Sequence, residues 1–455
     1  MEEKQDIEIS QEVVSDEVQA QVNDEKKPRE DFKVASIIIP ECNVLLDMMH
    51  ESMLYYDQAL FFQRNEYFKT NNRKEGKYGP YKIYTANELD KMLRNCLRTD
   101  IRYSEKERKM HNRGISYITR QVVSQWKGWR SAVKDYKKEP EKYKAMPEMP
   151  KYMHRRKKYN VLRLDDHAYG WVSENKIRLA KTDCIIDLPS HLNSSNVRMI
   201  VMQKYYNKIK INVVYVDKEE KINNAVDEGS AMGIDLGVNN FCAITINDKD
   251  NSYIIKGGGV KSLNQLYNKN MADIKSKLEK CNKRKVSKKI NSECMHRNRR
   301  MYEFIHTVAN KIIDLALENR VGSIVIGHNP GWKQDINLGK VNNQKFVSIP
   351  FNDLINALQY KVEKYANLKL IVTEENHTSK CDHLAKEEVC HHDTYKGKRK
   401  TRGLFVSSIG KIINADINGA IGILRKVHAF TDAQLMRLRD RGDIVSPKVF
   451  RIINF

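Results

Sequence analysis

A single charged residue in the middle of an apolar strand constrains this chain more than any other feature. The run Ala231–Leu236 reads AMGIDL, which predicts a buried strand that carries one charged side chain, Asp235. A buried carboxylate is costly unless it has a partner or a bound cation. Asp235 is therefore a candidate for chemistry rather than for packing.

The elements that follow residue 228 alternate between strands and helices. Three strands come first, then a long basic helical stretch from about 261 to 320, the strand VGSIVIGHN, the helix FNDLINALQYKVEKYAN and the strand LKLIVTEE. A last helix, NADINGAIGILRKV, follows an insertion at 376–413. The order of three strands, helix, strand, helix, strand and helix is that of RNase H. It predicts an α/β RNase H-like (RuvC) nuclease domain.

Further carboxylates fall at the ends of these elements. Glu374 and Glu375 end the strand LKLIVTEE, and Asp416 opens the last helix. Cleavage of a phosphodiester by two Mg²⁺ ions needs carboxylates that converge on one point, because Mg²⁺ prefers oxygen ligands. Adjacent strand residues point to opposite faces, so we expect only one of the two glutamates to reach the metals.

A competing interpretation is an ATPase. The run GIDLG also resembles the first phosphate loop of the actin-like and sugar-kinase ATPases, which share the core sheet. Those proteins need a second, glycine-rich Asp-x-Gly loop later in the chain. The late motif here is NADINGA, with an insertion before it, which counts against an ATPase.

Charge indicates a polyanionic partner. The formal net charge is +22, and residues 1–32 hold 11 acidic against 4 basic residues, so the remainder carries +29. We expect an acidic, disordered arm at 1–32 and a nucleic-acid partner for the rest. The absence of a long apolar run excludes a membrane span, and eight scattered cysteines fit a reducing cytoplasm, so the expected location is cytoplasmic and, in a prokaryote, nucleoid-associated.

The N-terminal half has a different character. Residues 41–148 are predicted to be mainly helical, and the clearest helix places Ile118, Val122 and Trp126 on one face. Its opposite face offers three candidate nucleic-acid contacts, Arg120, Lys127 and Arg130. Residues 33–40 predict a lone strand, and short strands between 176 and 216 predict a small β-barrel or sheet.

Five stretches resemble the RuvC domain of the TnpB family: GIDLGVNNFCAIT, RNRRMYEFIHTVANKII, ENHTSK, RGLFV and INADINGAIGILRKV. TnpB proteins are transposon-encoded, RNA-guided DNA endonucleases related to Fanzor and to the type V CRISPR effectors. The resemblance implies a Mg²⁺-dependent enzyme with two ions, for which Mn²⁺ can substitute. It also implies a guide RNA from a transposon end or a CRISPR array, and double- and single-stranded target DNA cut next to a short adjacent motif.

The same resemblance implies a division of the chain into domains. The expected domains are the acidic arm (1–32), a β-barrel wedge domain (33–40 and 149–228), a helical recognition domain (41–148), the RuvC-like domain (229–375 and 414–430), a degenerate zinc-ribbon or target-loading insertion (376–413) and a C-terminal tail (431–455).

The sequence departs from the commoner TnpB pattern at the second acid. That position is Gly327 here, whereas the run ENHTSK resembles a variant branch in which the glutamate has moved to Glu-x-x-Thr-Ser. This maps the second acid to Glu375. Glu374 is the alternate candidate, and Asp353 is the third. The implied catalytic and Mg²⁺-binding set is Asp235, Glu375 and Asp416.

The second departure concerns zinc. The family often inserts a ribbon with two CxxC pairs between the last two acids. Here the first half offers Cys381, His383, Cys390 and His391, while the second half, VSSIGK, has lost its cysteines. A zinc site from those four residues is conceivable, and a metal-free insertion is preferred.

Further candidate nucleic-acid contacts lie in basic stretches of the C-terminal half: Arg299, Arg300, Lys398, Arg399 and Arg402. Two alternatives within the family stay open. One is a nuclease-inactive, RNA-guided DNA-binding repressor, which the intact carboxylates count against, and the other is a compact type V CRISPR effector. A DDE-type transposase shares the fold and the metals, but it normally carries a separate DNA-end-binding domain.

Overall fold

The computed structural model describes most of the chain. The described residues are 32–72, 77–99, 110–154, 157–217, 220–282, 286–329, 349–401 and 403–452, so the predicted acidic arm lies outside them except for Phe32. The chain divides into two compact units, Met1–Lys218 and Glu219–Phe455. Among the described residues, no helix is both long enough and apolar enough to cross a membrane.

The first unit combines three long helices with short antiparallel strands. Its helices are α1 (Asn43–Thr70), α2 (Ala86–Thr99) and α3 (Asn112–Lys138). Its strands are β1 (Phe32–Pro40), β2 (Asn71–Asn72), β3 (Lys77–Tyr78), β4 (Leu162–Asp165), β5 (Tyr169–Ser173), β6 (Lys176–Leu179), β7 (Ile185–Asp187), β8 (Val197–Tyr205) and β9 (Lys208–Val216).

Seven of these strands form two separate sheets, and their hydrogen bonds do not close into one continuous barrel. One sheet has the order β1-β9-β8-β4 and the other β5-β6-β7, and all pairs are antiparallel. Along β9, Ile209, Ile211 and Val213 are buried, as the period of two along a strand requires. No pairing joins the two sheets among the described strands.

Helix α3 follows the predicted periodicity. Ile118, Val122 and Trp126 are buried, and Trp126 packs edge-on against Trp129 with ring centroids 5.1 Å apart. The predicted basic residues of the opposite face are all exposed: Arg120, Lys127 and Arg130.

The second unit contains one six-stranded sheet and the helices that cover it. Its strands are β10 (Ala231–Leu236), β11 (Asn240–Ile246), β12 (Ser252–Lys256), β13 (Ser323–Gly327), β14 (Lys369–Thr373), β15 (Lys398–Thr401), β16 (Leu404–Val406), β17 (Ile412–Asn414) and β18 (Lys448–Arg451). Its helices are α4 (Gly258–Asn282), α5 (Lys288–Glu318), α6 (Phe351–Val362), α7 (Ala415–Lys426) and α8 (Asp432–Arg437).

The large sheet has the order β14-β13-β10-β11-β12-β18. The three strands β10, β11 and β12 form an antiparallel meander, whereas β13 and β14 run parallel to β10. The sequence of elements is the one predicted, with the long basic stretch divided into α4 and α5. Strand β18 adds a sixth, parallel strand beside β12, from residues expected to form a tail.

Helices pack on both faces of this sheet. On one face, α5 and α6 bury an apolar core that includes Ile234, Phe241 and Phe304. On the other face, α7 packs on β10, β11 and β13, where Val325, Ile423 and Leu424 are buried together. The strands β15, β16 and β17 form a small separate sheet within the insertion and its return to α7.

Candidate active site at the ends of the central strands

Asp235 lies on the α7 face of the large sheet. Its neighbour Ile234 pairs with Ile326 and belongs to the core under α5 and α6, so Asp235 points the other way. Helix α7 comes very close at this point, because a Cβ added to Gly419 would lie 2.6 Å from Asp235 Oδ2. The glycine thus leaves the space that the carboxylate occupies.

Gly327 lies at the next position along β13, beside Asp235, and pairs with Thr373 of β14. Glu375 follows two residues after Thr373 and fills the space beside Gly327. A Cβ added to Gly327 would meet Glu375 Cβ at 3.0 Å and Ile423 Cδ1 at 2.5 Å. The position where the commoner pattern has its acid is therefore closed to any larger side chain.

The two neighbouring glutamates have different surroundings. Glu375 is partly buried, and its backbone N–H donates a hydrogen bond to Asn329 Oδ1 at 3.0 Å. Glu374 is exposed, and its carboxylate accepts from Asn376 Nδ2 at 3.3 Å. The charge of Glu375 raises the pKa of the Asp235 carboxyl.

Asp416 lies in the first turn of α7 without acting as its N-cap. The cap is Asn414, whose Oδ1 accepts from the backbone N–H groups of Asp416 and Ile417. The Asp416 carboxylate instead accepts from Asn240 Nδ2 at 2.6 Å and from Arg399 Nη2 at 3.2 Å. A helix-opening Asp is often only a cap, and here that role is already filled.

The pKa values of Asp235 and Glu375 are both raised. The pKa of Asp235 is well above its ordinary value, first because of burial and then because of the charges of Glu375 and Asp416, while Arg399 opposes the shift. Burial also raises the pKa of Glu375 to about 7, against the effect of Lys426. Like charges that converge in a buried place hold protons unless a cation neutralises them.

The charges of Glu375 and Asp416 act on Asp235, but the three carboxylates are not arranged around a single metal position. Across the described parts of the chain, no three Asp, Glu, His or Cys side chains are arranged to hold a metal ion as they stand. Asp353, the remaining candidate for the second acid, lies in the first turn of α6, on the other face of the sheet from α7.

Asn240 and Lys256 complete the surroundings of Asp416 and were missed in the sequence. They pair across β11 and β12, and Lys256 Nζ donates to Asn240 Oδ1 at 2.8 Å. This bond fixes the amide so that its NH₂ group faces Asp416. The sequence does show an asparagine, Asn240, at the end of the tight turn GVNN. It does not show that this asparagine contacts Asp416, which lies 176 residues further along the chain.

The four candidate zinc ligands make other contacts. His383 is fully buried with both ring nitrogens engaged, Nε2 with the Thr378 carbonyl at 2.7 Å and Nδ1 with Arg425 Nη1 at 2.9 Å. Burial lowers the pKa of His383 to about 4. Cys390 Sγ lies 3.4 Å from His392 Nε2, and the side chain of Cys381 contacts the Cys390 carbonyl. His391 packs its ring against His377.

A buried carboxylate joins the two halves of the insertion. Asp382 accepts hydrogen bonds of 2.7–2.8 Å from both hydroxyl groups of Ser407 and Ser408 and from the Ser408 backbone N–H. These bonds hold the pKa of Asp382 below its ordinary value despite its burial. The two serines belong to the run VSSIGK, so this Asp–Ser cluster occupies the region where the ribbon has lost its second pair of cysteines. Sequence analysis did not identify it.

The remaining nucleic-acid candidates of the second unit differ in their contacts. Arg299 pairs with Glu303 on α5 at 3.1 Å, and Arg300 is half-buried. On β15, Lys398 is exposed, whereas Arg399 forms the ion pair with Asp416. Arg402 lies outside the described residues.

Known proteins resemble parts of this chain. A family model described as OrfB_IS605, probable transposase, matches residues 213–333. The TnpB-like protein ORF457 of Acidianus two-tailed virus is 25% identical over 209 residues, which is 42% of this chain. The chain spans 41% of the length of that relative.

Two solved structures overlap with the chain more loosely. A Cas12f1–sgRNA–target DNA complex has a TM-score of 0.49 at 14% identity, covering 84% of this chain and 82% of the other. A CRISPR-Cas12f ternary complex has a TM-score of 0.32 at 14% identity, covering 84% and 81%. Overlaps this loose carry no weight for fold or activity.

The matched family region contains β10, β11, β12 and β13, which hold Asp235 and the glycine beside it. Glu375 and Asp416 lie outside this matched region. In the matched region the chain is similar to the OrfB_IS605 probable transposase family, and it is also similar to a TnpB-like viral protein.

Proposed function

We propose that this protein is an RNA-guided, Mg²⁺-dependent DNA endonuclease of TnpB type, which cleaves target DNA next to a short adjacent motif. The observation that carries the proposal is that Glu375 and Asp416 lie near enough to Asp235 for their charges to raise its pKa, although the three acids come from distant parts of the sequence. Similarity to a transposase family over residues 213–333 and to a TnpB-like viral protein supports a guided nuclease in general terms.

The proposal includes an RNase H-like, RuvC-type fold for the large sheet. Its support is the strand order, with an antiparallel meander of three strands and two further strands parallel to the first. In such a sheet the central strand carries the first acid, and Asp235 lies on β10, between β13 and β11.

The site residues fit divalent cations. All three candidate ligands are carboxylates, the oxygen donors that Mg²⁺ and Mn²⁺ take, and burial raises the pKa of Asp235 and Glu375 in a way that a cation would reverse. Bound Mg²⁺ would supply the positive charge that the scissile phosphate and the attacking water need.

The protein's own contribution is to place these carboxylates. Strand β10 and the close approach of Gly419 fix Asp235, and the bond to Asn329 fixes the backbone of Glu375. Asn240 orients Asp416 from the neighbouring strand. Asp235 and Asp416 belong to packed elements, and Glu375 follows directly after β14, so the fold brings the three acids to one face of the sheet.

The proposed partners are a guide RNA and target DNA. A net charge of +22, concentrated outside the acidic N-terminal segment, supports binding to polyanions but does not select a sequence. In a guided nuclease, base pairing would select the sequence and the protein would hold the backbone. Arg120, Lys127 and Arg130 on α3 are proposed backbone contacts, since all three are exposed on one helix.

The experiment that tests this function uses the full-length protein purified with the RNA that accompanies it. That RNA is sequenced, a matching target is placed in a plasmid library with randomised flanks, and Mg²⁺ is added. We expect cleavage only of plasmids that carry the target beside a preferred flank. Binding of the target without any cleavage would instead favour a guided repressor, and the absence of a discrete RNA would exclude guidance.

A further inference from the structure

Asp416 is held by two donors that differ in how firmly they are fixed. Asn240 Nδ2 donates to Oδ2, and Asn240 is itself fixed by Lys256 from the adjacent strand of the large sheet. Arg399 Nη2 donates to Oδ1 from β15, a strand of the small sheet, and its side chain is 46% exposed.

These two donors place different demands on a cation site. The Asn240 amide is neutral and leaves Oδ1 available, so it is compatible with a metal ion on the other oxygen. The Arg399 guanidinium is a permanent cation, and its bond to Oδ1 places a positive charge beside the oxygen that a divalent cation would bind. Arg399 and a divalent cation would therefore compete for Oδ1 of Asp416.

The exposure of Arg399 makes that exchange feasible. An ion pair at this exposure is weak in water, since solvent screens it and a long side chain loses freedom in forming it. A divalent cation carries twice the charge and faces three carboxylates. It can therefore displace the guanidinium without unfolding any part of the sheet.

We propose that Arg399 is an internal counter-ion of the acidic site: it neutralises Asp416 in the cation-free protein and must leave Asp416 when a divalent cation binds. This inference rests on the proposed function, because it takes Asp416 as a metal ligand. Arg399 thereby becomes a residue that limits cation loading, in addition to its expected role as a phosphate contact.

Cation binding itself gives the direct test, without any cleavage assay. Mn²⁺ is titrated into the full-length protein at low ionic strength, and the free Mn²⁺ is followed by electron paramagnetic resonance. Arg399→Gln should bind Mn²⁺ more tightly than the wild type, by about fivefold if the lost competitor was worth as much as an exposed ion pair can be.

Lys400→Gln is the matched control. Lys400 is the next residue of β15, it is also exposed, and its substitution removes the same charge. It should change the Mn²⁺ affinity by less than about twofold, which measures the effect of net charge alone. Arg399→Lys keeps the charge but loses the planar fork, and it should fall between the wild type and Arg399→Gln.

Two results would overturn the inference. Equal affinities for Arg399→Gln and Lys400→Gln would mean that Arg399 does not compete, and a weaker affinity for Arg399→Gln would mean that it orients Asp416 for the metal. Failure of the proposed function looks different: the wild type would then bind no Mn²⁺ that Asp235→Asn removes.

Discussion

At the scale of single residues, the carboxylates depend on glycines that leave room for them. Gly419 lies on α7 directly over Asp235, and Gly327 lies on β13 beside Glu375. Neither glycine has a positive φ, so backbone conformation does not explain why these positions are glycines. Their role is to admit the close approach of a helix and of a relocated acid.

Gly419→Ala is predicted to reduce cleavage by more than about tenfold, because a Cβ 2.6 Å from Asp235 Oδ2 must displace that carboxylate. Gly128→Ala is the matched control, since Gly128 also lies within a helix and an added Cβ there would meet nothing within 4 Å. The control should keep full activity and gain about 0.5–1 kcal/mol in stability. Normal cleavage by Gly419→Ala would show that Asp235 tolerates a shift.

The raised pKa of Glu375 makes a prediction for stability without divalent cations. In the unfolded chain this carboxyl releases its proton near its ordinary pKa of 4.5, whereas the folded protein retains the proton up to about pH 7. The resulting stabilisation is complete below pH 4.5 and is lost as the pH rises to about 7. Its upper limit is about 3 kcal/mol, from 1.36 kcal/mol for each pKa unit.

Urea unfolding in EDTA at several pH values measures this effect. Glu375→Gln cannot ionise at this position, so its free energy of unfolding should fall less than that of the wild type between pH 4.5 and 7. The remaining fall is attributed to Asp235. Glu374→Gln, whose side chain is exposed, should retain the wild-type decline. Identical pH profiles for the two variants would contradict the burial of Glu375.

At the scale of elements, the sequence predicted those with strong periodicity and missed those with weak patterns. The helix α3 and the strands β10 to β14 have clear apolar periods, and they form where expected. Strand β18 has only four residues, with Val449 exposed, so its pattern is indistinguishable from that of a loop. It forms because Val449 and Phe450 pair with Ile254 and Ile255, a contact between distant parts of the chain.

The insertion shows a second limit of sequence reasoning. Cysteine and histidine counting can propose a zinc site, but it cannot identify a carboxylate that bonds hydroxyl groups 25 residues away. Asp382→Asn is predicted to lower the free energy of unfolding by about 2 kcal/mol, since it weakens several hydrogen bonds to a buried charge.

Asp393→Asn in the same insertion is the control, because Asp393 is exposed and its substitution should leave stability unchanged. Both variants are compared by thermal unfolding of the full-length protein. A lower melting temperature of the wild type in a zinc-specific chelator would contradict this account, since it would mean that a metal holds the insertion together.

At the scale of the whole molecule, strand order and alternation predicted two candidate aspartates and one of two neighbouring glutamates, and the family resemblance favoured Glu375. Sequence reasoning did not reach Asn240, Lys256 or the contact of Arg399 with Asp416, which depend on strands and insertions meeting in three dimensions. The guide RNA and the adjacent motif stay proposals: the family resemblance supports both, and the net charge of +22 supports a nucleic-acid partner.

The most direct test of the central claim compares the two neighbouring glutamates in guided plasmid cleavage with Mg²⁺. We predict that Glu375→Gln abolishes cleavage while target binding persists, and that Glu374→Gln cleaves like the wild type, because only Glu375 is partly buried beside Gly327 and Asp235. Loss of cleavage in Glu374→Gln together with normal cleavage in Glu375→Gln would contradict the proposed site.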